Sequence, residues 1–132
     1  MSDPGSAMTA CPCGSRRSYS GCCGLVHAGR PAESAEALMR SRFSAFALGL
    51  AAYLLESWHP DTRPPALDLD DGTQWRRLQI VDTAAGGPAD ETGIVEFRAS
   101  YRTPGGSGVL HERSRFARLD GAWRYVDGDI VD

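Results

Sequence analysis

Four cysteines lie within 13 residues near the start of the chain, and no other cysteine occurs among its 132 residues. They form two close pairs, Cys11 with Cys13 and Cys22 with Cys23, in the segment C-P-C-G-S-R-R-S-Y-S-G-C-C-G. This segment has almost no other apolar residue, so it cannot fold by burying a core of its own. Two thiolate pairs joined by a short, glycine-containing loop can surround one tetrahedral zinc ion. We therefore predict a structural Zn²⁺ site whose binding free energy, on the order of 10 kcal/mol, folds the segment.

Other roles for these thiols remain open at this point. Tight cysteine clusters in reducing compartments favour metal sites over disulfides. A disulfide such as Cys11 with Cys22 is one alternative, although Cys22 and Cys23 are adjacent and two internal disulfides would have to cross. A redox or catalytic thiol is another, with His27 as the only nearby base. His27 is also an alternative fourth metal ligand.

Composition limits the class of protein. Hydrophobic residues make up 42% of the chain, which is enough for one core. No apolar run approaches the roughly 20 residues that span a membrane. Residues 1–10 are small and polar, predict a flexible tail, and lack the features of a secretory signal. We expect a cytoplasmic protein without membrane contact, and the net charge of -3 argues against a chain that coats nucleic acid.

From residue 31 onward the pattern is that of an ordinary globular domain. Apolar spacing predicts a helix over residues 34–48, interrupted at Gly49, and a second helix that runs through Tyr53 to Trp58 and is ended by His59-Pro60. The remainder predicts strands over residues 75–82, 93–102, 109–119 and 122–130, with Asp120-Gly121 as a two-residue hairpin turn. Helices followed by antiparallel strands indicate an α+β domain with the helices packed on one sheet face.

The cysteine segment resembles, position for position, the SEC-C motif at the C-terminus of the SecA translocation ATPase, which also occurs on many bacterial proteins. The resemblance implies a zinc knuckle over residues 11–24, with Cys11, Cys13, Cys22 and Cys23 as ligands. The motif usually has lysines, thought to contact partners such as the SecB chaperone or the ribosome, where this chain has Ser18 and Ser20. Arg16 and Arg17 are the positive charges here. The resemblance implies another protein as a partner of the knuckle.

Further segments resemble the bacterial YchJ family, and the likeness covers nearly the whole chain beyond residue 10. They are L-M-R-S-R-F-S-A-F at residues 38–46, W-H-P at 58–60 and E-R-S-R-F at 112–116. The resemblance implies, over residues 31–132, a domain similar to nuclear transport factor 2, in which helices pack on a curved antiparallel sheet and enclose a cavity. Sheets in this kind of fold often pair, which implies a homodimer. No reaction is implied.

Arg42 is an anomaly, because it falls on the apolar face of the first predicted helix, where an unpaired charge is costly. A two-residue hairpin turn at residues 120–121 would place Ser114 opposite Asp127, with Glu112 on the same inward face. One interpretation is a structural ion pair of Arg42 with Glu112 or Asp127. The other is a small-ligand cavity. The candidate cavity residues are Arg42, Tyr53, Trp58, His59, Glu112, Ser114, Tyr125 and Asp127.

The leading interpretation is a non-catalytic binding protein with the knuckle as contact module, because four thiolates leave zinc no open position for substrate. No catalytic residue is assigned. One alternative is a hydrolase or isomerase with His59, Glu112 or Asp127 as acid or base. A second alternative, which the charge disfavours, is ribosome or RNA binding through Arg16, Arg17 and a basic stripe of His111, Arg113, Arg115 and Arg124.

Overall fold

The computed structural model describes residues 9–131. Most of the predicted tail lies outside the described residues. Its last two positions are ordered against the cysteine segment, since Tyr19 N–H donates to the Thr9 carbonyl at 2.8 Å and Ala10 bridges to Ser18. The segment itself contains a short 3-10 turn, Tyr19–Gly21, and one helix, α1 (Cys23–His27).

Two helices follow, and both were predicted. The longer, α2 (Ala35–Leu48), begins where the Ser34 hydroxyl accepts a hydrogen bond from Ala37 N–H at 3.0 Å. It ends at Gly49, whose φ of 75° lies in the left-handed region that favours glycine. The shorter helix, α3 (Ala51–Glu56), ends two residues earlier than predicted.

Four antiparallel strands form one sheet in the order β1-β2-β3-β4. They are β1 (Gln74–Ala85), β2 (Thr92–Thr103), β3 (Gly106–Leu119) and β4 (Ala122–Ile130). All four predicted strands are therefore present, and the first three extend beyond their predicted ends. The turn at Asp120 and Gly121 has φ values of 52° and 82°, as a type I′ hairpin turn requires.

The core lies between α2 and one face of this sheet. Alternate residues of β2 point inward, so that its buried side chains meet the buried face of α2. The start of α2 approaches the sheet closely, because Gly86 and Gly93 leave room for it. A Cβ atom on Gly93 would lie 3.0 Å from the Cβ of Ala35 and 2.5 Å from the Cα of Gly86. Ala35 N–H donates to the Gly86 carbonyl at 2.9 Å.

The register of the last hairpin holds as predicted as far as Tyr125 and is wrong beyond it. Val126 is an extra residue in β4, and the pairing with β3 shifts there. Ser114 consequently lies opposite Gly128 rather than opposite Asp127. Because successive side chains in a strand alternate between faces, one inserted residue moves Asp127 to the outer face of the sheet.

None of the helices in residues 9–131 combines the length and the apolarity that crossing a bilayer requires. The α+β class and the placement of the helices on one face of an antiparallel sheet are as predicted.

Candidate metal centre and adjacent cavity

The four cysteine sulfurs converge at one point beside α2. All four lie within 4.8 Å of one another, and the sulfurs of Cys13 and Cys22 are 3.7 Å apart. Four sulfurs placed tetrahedrally at about 2.3 Å from one ion would be separated by about 3.8 Å. The donor set therefore fits a single tetrahedral metal ion. All four cysteines are free thiols, so the disulfide alternative is wrong.

This cluster is closed to solvent on most sides. Cys11, Cys13 and Cys23 are at most 4% exposed, and Cys22 is partly exposed. The three buried cysteines belong to the same core cluster as Ala35 and Leu38 of α2. Such burial suits a structural metal site, in which protein ligands occupy every coordination position.

Backbone hydrogen bonds and two glycines shape the loop that carries the sulfurs. Cys11 N–H donates to the Arg17 carbonyl at 2.9 Å, which closes the first part of the loop. Gly14 has a φ of 81°, a conformation that side chains disfavour. A Cβ atom on Gly24 would lie 2.7 Å from the Tyr19 carbonyl oxygen. The position after the second cysteine pair therefore requires glycine, because it packs closely against the preceding turn.

The ionisation of one buried thiol opposes the ionisation of its neighbours. The pKa of Cys11 is lowered, chiefly because the thiol of Cys13 donates a hydrogen bond to its sulfur. The pKa values of Cys13 and Cys23 are raised, chiefly by their hydrogen bonds to Cys11, and burial adds to this. A first thiolate thus makes the next ones costly. A divalent cation relieves the conflict, because it replaces the shared protons and binds the thiolates directly.

Two further groups contact the most exposed sulfur. The Ser15 hydroxyl lies 3.1 Å from Cys22 Sγ, and Arg17 Nη2 lies 3.9 Å from it. A positive charge and a hydroxyl next to sulfur stabilise a thiolate. Sequence reasoning assigned neither residue this role, although Ser15 belongs to the glycine-serine step of the motif.

His27 has a different role from the one considered for it. Its Nδ1 accepts a hydrogen bond from the Tyr19 hydroxyl at 2.6 Å, and its Nε2 donates to the Ser41 carbonyl at 2.8 Å. Both ring nitrogens are therefore occupied, and His27 is not a metal ligand in this arrangement. It connects α1 to α2, and the sequence carries no signal for a contact that joins residues 14 positions apart.

The cysteine segment is also attached to α2 directly. Arg40 Nη1 donates to the Cys13 carbonyl at 2.9 Å, and the sulfur of Cys11 lies 3.5 Å from the Ser44 hydroxyl. These contacts, together with the one from His27, come from a side of α2 different from the one that carries Arg42 and Phe43. The cluster and α2 consequently form one packed unit.

A cavity of about 120 Å³ lies on the other side of α2, between that helix and the sheet. Five of the eight candidate cavity residues line it at one end, namely Arg42, Trp58, Glu112, Ser114 and Tyr125. The rest of its wall is apolar and mostly aromatic, and sequence reasoning did not assign it. The main residues there are Met39, Phe43, Phe46, Trp75, Phe97 and Leu110.

Arg42 is 3% exposed and held in one position. Its Nη1 donates to the Leu54 carbonyl at 2.8 Å and to the Ser57 hydroxyl at 2.6 Å. Its Cζ lies 4.9 Å from the ring centroid of Trp58 and 4.6 Å from that of Tyr125, which are cation–π contacts. Burial lowers the pKa of Arg42 to about 10.

The predicted ion pair of Arg42 is wrong. Within residues 9–131, no carboxylate forms an ion pair with its guanidinium group. Glu112 lines the same cavity but accepts a hydrogen bond from the Tyr125 hydroxyl at 3.3 Å. Asp127 bonds to Arg115 on the outer face at 2.5 Å, as the shifted register requires.

The polar end of the cavity contains unsatisfied groups. Ser114 is fully buried, and within the described part of the chain its hydroxyl has no hydrogen-bond partner. The indole N–H of Trp58 likewise has none there. The pKa of Glu112 is raised, because burial disfavours its charged form. Gly128 makes room for this carboxylate, since a Cβ atom at that position would overlap it.

Three candidate cavity residues, Tyr53, His59 and Asp127, do not line the cavity. The Tyr53 hydroxyl bonds to the Ser41 hydroxyl at 2.6 Å, on the side of α2 that carries the cysteine segment. The Nδ1 of His59 accepts from the backbone N–H of residue 61 at 3.1 Å. Periodicity placed Tyr53 on a helix but could not show which neighbour that side of α3 would face.

Three of the four residues of the predicted basic stripe are paired with carboxylates, whereas Arg124 donates to the Glu56 carbonyl. His111 Nε2 bonds to Glu96 at 2.7 Å, and the same carboxylate accepts from Arg113 at 2.9 Å. These bonds lower the pKa of Glu96, with the His111 bond as the largest cause. The remaining acidic partners are Asp82 of Arg113 and, for Arg115, Asp127 and Asp129. These pairs offset the positive charge of Arg113 and Arg115, which weakens the case for contact with a phosphate backbone.

Comparison with known proteins agrees with this architecture. The sequence profile of the YchJ middle domain, described as NTF2-like, matches residues 34–128. A UPF0225 protein of Streptomyces coelicolor is 59% identical over 123 residues, which cover 92% of this chain and 96% of that protein. A UPF0225 protein of Chromobacterium violaceum is 47% identical over 130 residues, covering 95% and 96%.

Two solved structures of SEC-C motif proteins share the fold. The solution structure from Rhodopseudomonas palustris aligns with a TM-score of 0.80 and 36% identity, and covers 92% of this chain and 98% of that one. The crystal structure from Psychrobacter arcticus aligns with a TM-score of 0.74 and 26% identity, covering 96% and 85%. With its cysteine motif and NTF2-like domain, the chain belongs to the YchJ (UPF0225) family.

Proposed function

We propose that this protein is a zinc-stabilised, non-catalytic binding protein. Cys11, Cys13, Cys22 and Cys23 would hold one structural Zn²⁺, and the α+β domain would bind a small molecule in the cavity beneath α2. The observation that carries the proposal is the mutual approach of four sulfurs within 4.8 Å, with three of the cysteines buried. A closed set of this kind leaves a metal no position for substrate.

Zinc is the metal that this donor set favours. Thiolates are soft ligands, and a tetrahedral arrangement of four sulfurs is typical of zinc or iron–sulfur sites. Iron–sulfur clusters distribute their cysteine ligands over several iron atoms. Sulfurs that lie within 4.8 Å of one another are close enough to surround one ion. When bound, the ion would supply cross-linking free energy to a segment that has little apolar surface of its own.

The metal would stabilise more than the knuckle, because the knuckle packs on α2. Arg40 and Ser44 contact the cysteine segment from one side of that helix, whereas Arg42 and Phe43 face the cavity from the other. A metal-bound knuckle would therefore hold α2 in place above the sheet. Contact with a protein partner through the knuckle, and pairing of two copies, stay predictions.

Elemental analysis tests the metal. The full chain, purified under reducing conditions without added metal, should contain one zinc per chain. Replacement by Co²⁺ should produce the visible absorption of a tetrahedral thiolate site. Ser15→Ala, next to the cluster but not a ligand, serves as a matched control and should keep the metal. Iron in place of zinc, or no stoichiometric metal together with an unchanged N-terminal fold after chelation, would overturn the proposal.

A second candidate function is an enzyme of hydrolase or isomerase type, which the position of Glu112 favours. Its carboxylate lines the cavity, and burial raises its pKa, as is typical of carboxyl groups that act as acid or base. A panel of small esters and ketones should be screened with the parent protein, with Glu112→Gln and with the exposed control Glu91→Gln. Turnover that Glu112→Gln alone abolishes would favour the enzyme over the binding protein.

A further inference from the structure

The cavity beneath α2 has a polar end whose hydrogen-bonding capacity exceeds what the chain supplies. Ser114 Oγ and Trp58 Nε1 have no hydrogen-bond partner in residues 9–131, and all the hydrogen bonds of Arg42 seen there come from Nη1. Buried polar groups are normally paired, because an unpaired one costs about 1–3 kcal/mol. Ser114, Trp58 and Arg42 all line this cavity, and the described residues give no acceptor to the Ser114 hydroxyl or the Trp58 indole.

Arg42 gives this end a positive charge. Its guanidinium group is buried between two rings and held by two hydrogen bonds from a single nitrogen, so its orientation is set before any ligand arrives. No carboxylate neutralises it by direct pairing in the described part of the chain. An anionic acceptor would complete this arrangement, since hydrogen bonds between charged groups are the strong ones.

The opposite end of the cavity is apolar and determines which kind of group can bind there. Phe43, Trp75 and Phe97 form an apolar wall. The volume of about 120 Å³ is slightly smaller than an engineered apolar cavity of about 150 Å³ in another protein that binds benzene. The space accordingly limits a ligand to one ring with a small substituent that reaches the polar end.

We propose that the cavity binds a small aromatic carboxylate of about the size of benzoate, with the ring among the aromatic side chains and the carboxylate beside Arg42 and Ser114. This inference rests on the binding role proposed above, but not on the presence of the metal.

Glu112 opposes this ligand, because its own carboxylate lies at the same end of the cavity. Its charge would repel a bound anion. Glu112→Gln keeps the shape and the partner of the side chain while removing that charge. The variant should therefore bind benzoate more tightly than the parent, by about threefold or more, whereas a cavity that binds neutral ligands would show no such gain.

The test is a titration of the full, metal-containing chain with sodium benzoate, followed by amide chemical shifts and by calorimetry. Benzamide and benzyl alcohol serve as neutral ligands of similar shape. Benzoate should bind at least about tenfold more tightly than either, as a charge-assisted contact predicts. Shifts should concentrate in α2, β2 and β3.

Two variants test the location without disturbing the bonds that hold Arg42. Ser114→Ala removes a hydroxyl that has no partner in the described residues and should weaken benzoate about fivefold. Ala99→Val adds two methyl groups to the cavity wall and should weaken it by more. Ser107→Ala, exposed on the same strand as Ser114, should leave affinity unchanged.

Each adverse result has a separate meaning. If neutral ligands bind as tightly as benzoate, the proposed preference for a carboxylate is wrong, but the proposed binding role stands. If neither Ser114→Ala nor Ala99→Val changes the affinity for benzoate, the ligand does not bind at the proposed site. If no ligand of the panel binds, the inference fails, while the zinc content of the same sample decides the proposed metal site independently.

Discussion

The two sides of α2 carry two sites that differ in how far the chain satisfies them. On the side of the cysteine segment, the polar neighbours of the sulfurs have protein partners, as Arg40 and both nitrogens of His27 show. On the side of the cavity, Ser114 and Trp58 have polar atoms without partners in residues 9–131. One helix thus separates a cysteine cluster whose polar neighbours are paired from a cavity where two polar groups are not.

This difference is what the proposed structural and binding roles predict. Groups that hold a structure in place are satisfied within the chain, because an unpaired buried group lowers the stability of the protein at all times. An unpaired buried group can take its missing contact from water or from a ligand. Substitutions on either side of α2 test this difference.

The largest effect is expected for Cys13→Ser, because Cys13 is fully buried within the cluster. The variant should lose its metal and about 3–5 kcal/mol of unfolding free energy, since metal binding and folding of the segment are coupled. Urea unfolding together with zinc analysis measures both quantities. Ser15→Ala should retain metal and most of the stability. Metal loss without destabilisation would show that the cavity side of α2 stands independently of the cluster.

Arg42→Met should have the next largest effect, about 2–3 kcal/mol. It removes hydrogen bonds to the Leu54 carbonyl and to Ser57, and the stacking on two rings, while it relieves the burial of a charge. The matched variant is Arg40→Met on the other side of α2, with an expected loss of about 1 kcal/mol. Chemical denaturation measures the pair. Equal losses would remove the distinction between the two sides.

Glu112→Gln should stabilise the protein by about 1 kcal/mol near pH 7.5. Burial raises the pKa of Glu112 above its unfolded value, so the folded state binds the proton more tightly and stability falls as pH rises through that range. Below the ordinary glutamate pKa of about 4.3 the side chain is neutral in both states, and the gain should vanish. Melting curves at pH 3.5 and 7.5, with Glu91→Gln as control, measure this. A gain of equal size at both pH values would contradict it.

The smallest effect is expected on the outer face of the sheet, away from both sites. Arg115→Ala and Arg113→Ala break exposed ion pairs, and each should shift the melting temperature by no more than about 2 °C. Neither should change retention on an RNA or heparin matrix, because carboxylates already match these charges. A salt-sensitive retention of the parent that both variants lose would favour the RNA-binding alternative.

Much of the architecture follows from local patterns. The start of the helix near Ser34, its end at Gly49 and the turn at Asp120-Gly121 were predicted from neighbouring residues, and all three are confirmed. Strand alternation likewise identified the inward face of β2. These features depend on backbone preferences over a few residues, which the sequence displays directly.

The cavity was only partly predictable. One extra residue, Val126, reverses the face of Asp127, and its effect depends on how β3 and β4 pair rather than on either strand alone. Tyr53 was placed on the cavity side, yet it bonds to Ser41 on the opposite side of α2. Trp75 contributes to the cavity wall from a strand with poor alternation, so no pattern marked it as inward-facing.

The sequence by itself indicated the family through its motifs. It also determined the set of metal-ligating candidates, because four sulfurs within 13 residues can meet whatever the rest of the chain does. Only the tertiary structure decided what surrounds Arg42. Its neighbours come from α2, α3, β3 and β4, and their meeting depends on packing between segments far apart in the chain. A set of ligands that lie close together in the sequence can be predicted from it, whereas the partners of a buried charge depend on the tertiary structure.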